Sequence, residues 1–287
     1  MTELPRWFKQ KIPDESTLRL RRIFSSFNVH TVCEEAHCPN VTECFANNHA
    51  AFMILGARCT RSCGFCAVVN SDGIGLSVDA GEPRRIAEIV RILGLNYVVI
   101  TSVTRDDLND CGSGQFAKTI ESIRSISDDI KVEVLIPDFL GIHAHLRRVL
   151  DAKPYVLAHN LETVKRLYGE IRPQADYRRS LGMLSKAKEI NCVIITKSSL
   201  MLGFGETEEE VIGAMRDLRV HQCDYLTLGQ YLAPSDRHYP VKEFIHPQQF
   251  KKYRDIAMGL GFKAVSSGPK VRSSYQAQKL SMELEYA

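Results

Sequence analysis

The chain has 287 residues, of which 44% are hydrophobic and 25% charged, ordinary values for a soluble globular protein with a sizeable core. Its 37 basic and 34 acidic residues leave a net charge of +3, too mild to argue for nucleic acid, and no apolar run approaches the ~18 residues of a membrane span. Met1–Lys11 has no apolar signal core, so a reducing cytoplasm is expected, or an organelle if a transit peptide has been removed; nine cysteines in such a place point to metal.

Residues 1–32 mix charge with aromatics: Arg6, Trp7, Lys9, Lys11, Arg19, Arg21 and Arg22 beside Leu18, Ile23, Phe24 and Phe27. They read as a partly helical, solvated extension with Asp14 or Ser16 as helix cap, or more sharply as a basic docking surface for an acidic partner. Next comes Cys33-Glu-Glu-Ala-His-Cys38-Pro-Asn-Val-Thr-Glu-Cys44. Three cysteines cannot all pair with one another, and the triplet lacks a local fourth ligand. His37 is too close to Cys38 to share its metal easily and reads as a supporting or surface histidine.

From Phe52 the chain alternates short β-rich runs with helical stretches. The runs are Phe52–Leu55, Tyr97–Thr101, Val132–Ile136, Tyr155–Ala158, Val193–Thr196 and Tyr225–Leu228, with a short seventh at Lys263–Ser266. Helices are expected near Arg84–Leu93, Gln115–Ile126, His143–Leu150, Tyr177–Ile190 and Thr207–Val220. Such βα repeats imply parallel strands with helices outside. The predicted fold is α/β, a partial (β/α)6 TIM-like barrel over 51–265, flanked by an N-terminal extension over 1–50 and a C-terminal one over 266–287. Periodicity leaves an open doubly wound sheet as the alternative.

In either architecture chemistry gathers at the carboxyl ends of the strands. Those ends carry Thr101 and Ser102, then Arg105-Asp-Asp107; Pro137-Asp138; His159-Asn-Leu-Glu162; Lys197-Ser198; and Gln230-Tyr231. Singly each is a helix cap or a loop polar group; together they line a pocket for a polar small molecule. Leu202–Thr207 reads as a tight strand-to-helix turn, with Glu206 or Thr207 opening the helix. Ser273 or Ser274, in Gly268-Pro-Lys-Val-Arg272-Ser273-Ser274-Tyr275, is most simply the cap of a helical tail.

The stretch that carries most chemistry is Cys59-Thr-Arg-Ser-Cys63-Gly-Phe-Cys66, directly after the first apolar strand. Zinc wants four protein ligands, or three plus water. A four-iron cluster held by three thiolates keeps one iron open for something else to bind. A small zinc module or an electron carrier would not need about 200 residues of βα repeats with polar strand ends.

Taken together, Cys33-x4-Cys38-x5-Cys44, Cys59-x3-Cys63-x2-Cys66 and Arg272-Ser-Ser-Tyr275 resemble the lipoyl synthases, radical S-adenosylmethionine enzymes. The resemblance extends to Glu34–Asn40, Leu135–Phe139, Ala158–Thr163 and Tyr177–Leu181, nearly the whole chain. Biotin synthases and methylthiotransferases would share the second triplet and place their other cluster differently. One departure is Cys111-Gly112, where the family usually has two glycines.

The resemblance implies insertion of two sulfur atoms at C6 and C8 of an octanoyl chain on a carrier-protein lysine. It implies a [4Fe-4S] cluster at Cys59, Cys63 and Cys66 that binds S-adenosylmethionine and cleaves it to a 5′-deoxyadenosyl radical. A second, sacrificial [4Fe-4S] cluster would be held by Cys33, Cys38, Cys44 and Ser274. Thr101, Asn160, Glu162, Arg178 and Arg179 would hold the nucleoside and methionine, with Phe65 beside the adenine. The implied partners are an octanoylated lipoyl carrier, from a 2-oxoacid dehydrogenase or the glycine cleavage H protein, and flavodoxin or ferredoxin as electron donor. A monomer without nucleic acid or membrane is expected.

Overall fold

The computed structural model describes residues 4–8, 14–73 and 76–282. Its strands are β1 (His30–Thr31), β2 (Ala51–Ile54), β3 (Arg58–Cys59), β4 (Val69–Asn70), β5 (Tyr97–Ser102), β6 (Lys131–Leu135), β7 (Val156–Ala158), β8 (Ile195–Leu202), β9 (Tyr225–Gln230) and β10 (Ala264–Ser267). The main sheet runs β1-β2-β5-β6-β7-β8-β9-β10, while β3 and β4 pair separately. Every pairing from β2 to β10 is parallel, and only β1 runs antiparallel, on the outer edge of β2. Each parallel strand neighbours the next in sequence. A doubly wound sheet would reverse its order at a switch point, so the sequential order decides for the barrel. β10 and β2 do not pair, and the barrel stays open. The short seventh strand is present as β10.

The helices between strands are α4 (Glu82–Leu93), α5 (Ser113–Arg124), α6 (His143–Asp151), α8 (Tyr177–Ile190), α9 (Glu208–Val220) and α10 (Pro247–Gly259), with a short α7 (Tyr168–Ile171) before α8. Their ends follow local chemistry. Pro83 opens α4 at a position that needs no N–H, and Gly94 closes it at φ +62°. Thr207 and Glu210 form a reciprocal capping box on α9, and Glu206 accepts from the Gly203 and Phe204 amides at 2.6 and 2.9 Å, so Leu202–Thr207 is the expected turn.

One strand differs from its expected span. Lys197 and Ser198 are not a strand exit but lie inside β8, which continues to Leu202. Lys197 is fully buried and its Nζ meets Glu133 Oε1 at 2.7 Å across β7, while Tyr97 donates to the other Glu133 oxygen at 2.7 Å. A lysine inside a barrel is tolerated because its charge is paired and hydrogen-bonded, and its polarity disguised the strand.

Both extensions dock on this frame. In the first, α1 (Glu15–Ser26), capped by Asp14 as expected, precedes α2 (Val32–Glu35) and α3 (Val41–Ala46). Phe24 meets Phe45 and Phe52 edge to face, at ring separations of 5.4 and 5.9 Å, which fastens α1 and α3 to β2. The second extension passes over β9 and ends in α11 (Ala277–Met282). Gly268 donates to the Leu228 carbonyl at 3.0 Å, and a Cβ at Gly229 would stand 1.9 Å from the Val271 oxygen. Only glycine permits that crossing.

Candidate active site

The parallel strands end in one cavity of about 1120 Å³. Cys33 and Cys38 stand on its wall, as do Cys59, Cys63 and Cys66, and Arg272, Ser273 and Ser274 join them from the far end of the chain. Cys44 is half-buried on α3 and close enough to Cys38 for their charges to interact.

The loop of the second triplet is pinned on both sides. Thr60 bonds the Thr104 carbonyl through its amide at 3.0 Å, and Gly64 donates to Ile171 at 2.8 Å and accepts from Tyr239 at 2.7 Å. His238 Nε2 donates to the Cys66 carbonyl at 3.1 Å. Cys59 Sγ accepts the amides of Arg61 and Thr104 at 3.4 and 3.3 Å.

Beneath the loop, Arg61 is buried and forks onto two carboxylates. It reaches Asp106 at 2.7 and 2.9 Å and Asp138 at 2.7 and 3.0 Å, and Arg179 reaches the same Asp138 at 2.8 Å. Burial alone would raise the pKa of Asp138. Its hydrogen bonds to Arg61 and the charges of Arg61 and Arg179 hold it well below the usual carboxylate range. The carboxylate is therefore a fixed negative anchor for the loop.

Cys33, Cys44, Cys63 and Cys66 are costly to ionise without a cation. Burial, then the neighbouring charge of Cys38, pushes Cys33 and Cys44 up to about 12; burial, with Cys63 and Cys59, does the same to Cys66. Cys63 is also raised by burial, against the opposing pull of the Arg172 charge. A bound cationic centre would remove that cost. One tetrahedral ion at ~2.3 Å from each sulfur would hold its thiolates within about 4 Å of one another. Among the described residues no three Cys, His, Asp or Glu side chains converge in that way. Soft thiolates of this kind are the donors of zinc sites and of iron–sulfur centres alike.

The Arg272-Ser-Ser-Tyr275 segment ties the two ends of the chain together. Tyr275 donates to Glu43 at 2.7 Å, and Asn40 donates to the Lys270 carbonyl at 2.6 Å, both across more than 200 residues of sequence. Ser273 is occupied by Asn160, to which it donates at 3.0 Å. Ser274 opens on the cavity, and among the described residues its hydroxyl makes no hydrogen bond. The helix-cap reading of these serines fails, because α11 begins only at Ala277.

Thr101, Phe65, Asn160 and Glu162 all line the cavity. Thr101 donates to the Leu135 carbonyl at 3.2 Å, and Asn160 donates to Glu162 at 3.0 Å. Glu162 takes φ +67° and bridges to Leu200, a constrained backbone at the cavity wall. Phe65 packs on Phe204 at 6.5 Å. Arg179 serves Asp138 instead of the cavity lining, and Arg178 is exposed on α8, outside it. Cys111 is buried away from the lining at φ +49°, a left-handed conformation that suits glycine better than a residue with a side chain.

Sequence reasoning missed Arg61 and Arg172. Arg61 lies within the triplet but points to carboxylates 45 and 77 residues away. Arg172, on the wall beside Cys63, bonds Tyr168 at 2.8 Å and the carbonyls of Asn160 and Leu161 at 3.1 Å. No local pattern marks either.

The sequence pattern of the Radical SAM superfamily matches residues 53–218. The lipoyl synthase of Caldanaerobacter subterraneus is 52% identical over 273 residues, 95% of each chain, and that of Geobacter metallireducens is 50% identical over 280 residues, 98% of each. Among solved structures, the FeFe-hydrogenase maturase HydG of Carboxydothermus hydrogenoformans gives a TM-score of 0.63 at 14% identity, over 82% of this chain and 56% of that one. Methylornithine synthase gives 0.56 at 14% identity, over 96% and 89%. At such identities the structural likeness speaks for the fold alone.

Proposed function

The chain belongs to the lipoyl synthases, sulfur-inserting enzymes of the radical S-adenosylmethionine superfamily, and from that membership we propose that it inserts two sulfur atoms at C6 and C8 of a protein-bound octanoyl-lysine, with S-adenosylmethionine and two [4Fe-4S] clusters. The observation that carries the reading is one cavity lined by Cys33 and Cys38 of the first triplet, by all three cysteines of the second and by the serine segment of the far end.

An alkane hydrogen is not acidic, so no side-chain base in the cavity can remove it. Bound there, S-adenosylmethionine and the iron–sulfur centres supply a carbon radical able to take that hydrogen and the sulfur that replaces it. Everything else falls to the chain. Cys59, Cys63 and Cys66 provide three ligands and leave a position for the amino acid end of S-adenosylmethionine. Asn160 and Glu162 offer an amide and a carboxylate to its ribose, Thr101 offers a hydroxyl beside them, and Phe65 offers a ring face to the adenine. Arg179 holds Asp138, and through it the cluster loop.

Cys33, Cys38, Cys44 and Ser274 hold the second cluster. A serine oxygen is a harder donor than a thiolate, so Ser274 would be the weakest of the four ligands to a soft cluster. Val32, Met53, Leu232, Val241 and Phe244 line the remaining wall with apolar surface that suits an octanoyl chain.

This reading divides the chain into an extension over 1–50 for the second cluster, a radical barrel over 51–265 and a closing segment over 266–287. It places a monomer in the cytoplasm, working on an octanoylated carrier domain with flavodoxin or ferredoxin as electron source. Arg6, Arg19 and Arg22 are exposed, and their charge would steer an acidic carrier. Arg21 is partly taken up by Glu34 at 3.1 Å, and Lys9 lies outside the described residues. Among the described residues no helix is long and apolar enough to cross a membrane.

The test is anaerobic incubation with S-adenosylmethionine, reductant and octanoylated carrier. 5′-Deoxyadenosine and a two-sulfur mass gain on the carrier are expected. Absence of deoxyadenosine overturns the reading.

A further inference from the structure

His159 follows β7 directly and is 2% exposed on the cavity wall, next to Asn160 and Glu162. Its Nδ1 lies 2.9 Å from the Ile136 carbonyl. A carbonyl only accepts, so Nδ1 carries the proton. Burial, followed by the charge of Arg172, lowers the pKa of the ring to about 4, so at neutral pH the imidazole is uncharged and Nε2 is a bare lone pair. Among the described residues that lone pair has no partner. Buried polar atoms in folded proteins nearly always have a partner, whether protein, water or ligand.

The wall holds a second orphan. Arg172 spends its Nη1 on Tyr168 and two carbonyls, while its Nε–H is buried and unpartnered among the described residues. Two ligand groups fail here. A carboxylate has no proton to give His159, and an ammonium would be repelled by the Arg172 charge that the imidazole feels. A hydroxyl does both things, donating to a lone pair and accepting from an N–H.

We propose that His159 Nε2 accepts a hydrogen bond from a ribose hydroxyl of S-adenosylmethionine, with Arg172 Nε donating to the same oxygen. Both nitrogens are sealed just under the cavity surface, so a small side-chain turn admits the hydroxyl and completes their bonds. Asn160 and Glu162, on the same strand end, hold the other side of the sugar. The inference rests on the functional reading above and adds a positioning residue to it.

Equilibrium binding to the anaerobic, cluster-loaded enzyme tests it, with S-adenosylmethionine and its 2′-deoxy and 3′-deoxy analogues as probes. Wild type should bind one of the two analogues about tenfold more weakly, the size of one net hydrogen bond. His159→Asn keeps an N–H for the Ile136 carbonyl and loses the Nε2 acceptor. It should bind S-adenosylmethionine about tenfold more weakly and gain nothing from that hydroxyl, so the two losses do not multiply. His159→Gln reaches the Nε2 position and should restore most of the affinity. A purely structural histidine would instead weaken all three ligands alike in His159→Asn, and multiplying losses or wild-type binding in that variant overturn the proposal. If wild type binds no S-adenosylmethionine, the functional reading fails, and this inference with it.

Discussion

The two cysteine triplets hold the same number of thiols and are built in opposite ways. The loop from Cys59 to Cys66 stands on the barrel itself. Its backbone is tied to Thr104, Ile171, Tyr239 and His238, and its base is bolted to Asp106 and Asp138 through Arg61. In the N-terminal triplet Cys33 lies on α2, Cys44 on α3 and Cys38 on the turn between them, off the antiparallel edge strand, and its wall is completed only when the chain's far end arrives. Two hydrogen bonds, from Asn40 and Tyr275, tie that closing segment to α3 and its approach. Under the proposed function, the cluster meant to persist stands on rigid elements, and the one meant to be consumed is closed by a segment that a few hydrogen bonds hold.

The comparison is broken most severely by removing one triplet at a time. Cys59→Ala should abolish 5′-deoxyadenosine formation and product together. Cys33→Ala should leave deoxyadenosine formation measurable by chromatography while sulfur insertion disappears. Equal loss of both activities in the two variants would show one shared site.

Ser274→Ala comes next. It should keep the Cys59 cluster and its deoxyadenosine yield and lower sulfur insertion strongly, whereas Ser274→Cys should keep a stable second cluster that gives up iron more slowly. Anaerobic iron and sulfide analysis checks both, against roughly eight irons per wild-type chain for two four-iron clusters.

On the barrel side the weak point is Asp138. Asp138→Asn strips Arg61 of a buried counter-charge and should cost about 3–5 kcal/mol of stability, read by denaturant unfolding. The folded pKa of Asp138 is depressed, so its contribution is complete above the unfolded value of about 3.9 and is lost as pH falls further, through the folded pKa. The stability gap between variant and wild type should therefore stay constant from neutral pH down to about 5 and close below 4.

The clamp should respond more gently. Tyr275→Phe removes one hydrogen bond to Glu43, worth about 1 kcal/mol, and should speed iron loss from the N-terminal cluster alone. Smallest of all, exchanging Arg19 and Arg22 for glutamate should slow reaction with the carrier protein and spare a short octanoyl-lysyl peptide, and the difference should shrink as salt rises. Equal slowing of both substrates would refute steering.

Much of this was readable from residues alone where chemistry is local. The cysteine spacings, the βα repeat, the Asp14 cap and the turn at Gly203–Thr207 each depend on neighbours a few positions apart. Lys197 misled because burial of a charge depends on a partner 64 residues away. Arg61 and Arg172 gave no signal for the same reason, since their bonds join elements that meet only in the folded barrel. Arg178 and Arg179 are adjacent in sequence and separate in space, because consecutive helical positions point about 100° apart. Thus Arg179 finds Asp138 while Arg178 faces solvent. Ser274 was singled out by resemblance, and its separation from Ser273 became physical only when Ser273 was found bonded to Asn160.

The division of labour between the triplets is tested most directly by isotope. The protein is reconstituted with heavy-isotope sulfide and run through one turnover with octanoylated carrier in otherwise unlabelled buffer. The account predicts two heavy sulfur atoms in the product and loss of iron and sulfide from the cluster at Cys33, Cys38, Cys44 and Ser274, with the one at Cys59, Cys63 and Cys66 intact. Unlabelled product, or labelled product accompanied by loss of the Cys59 cluster, would contradict it.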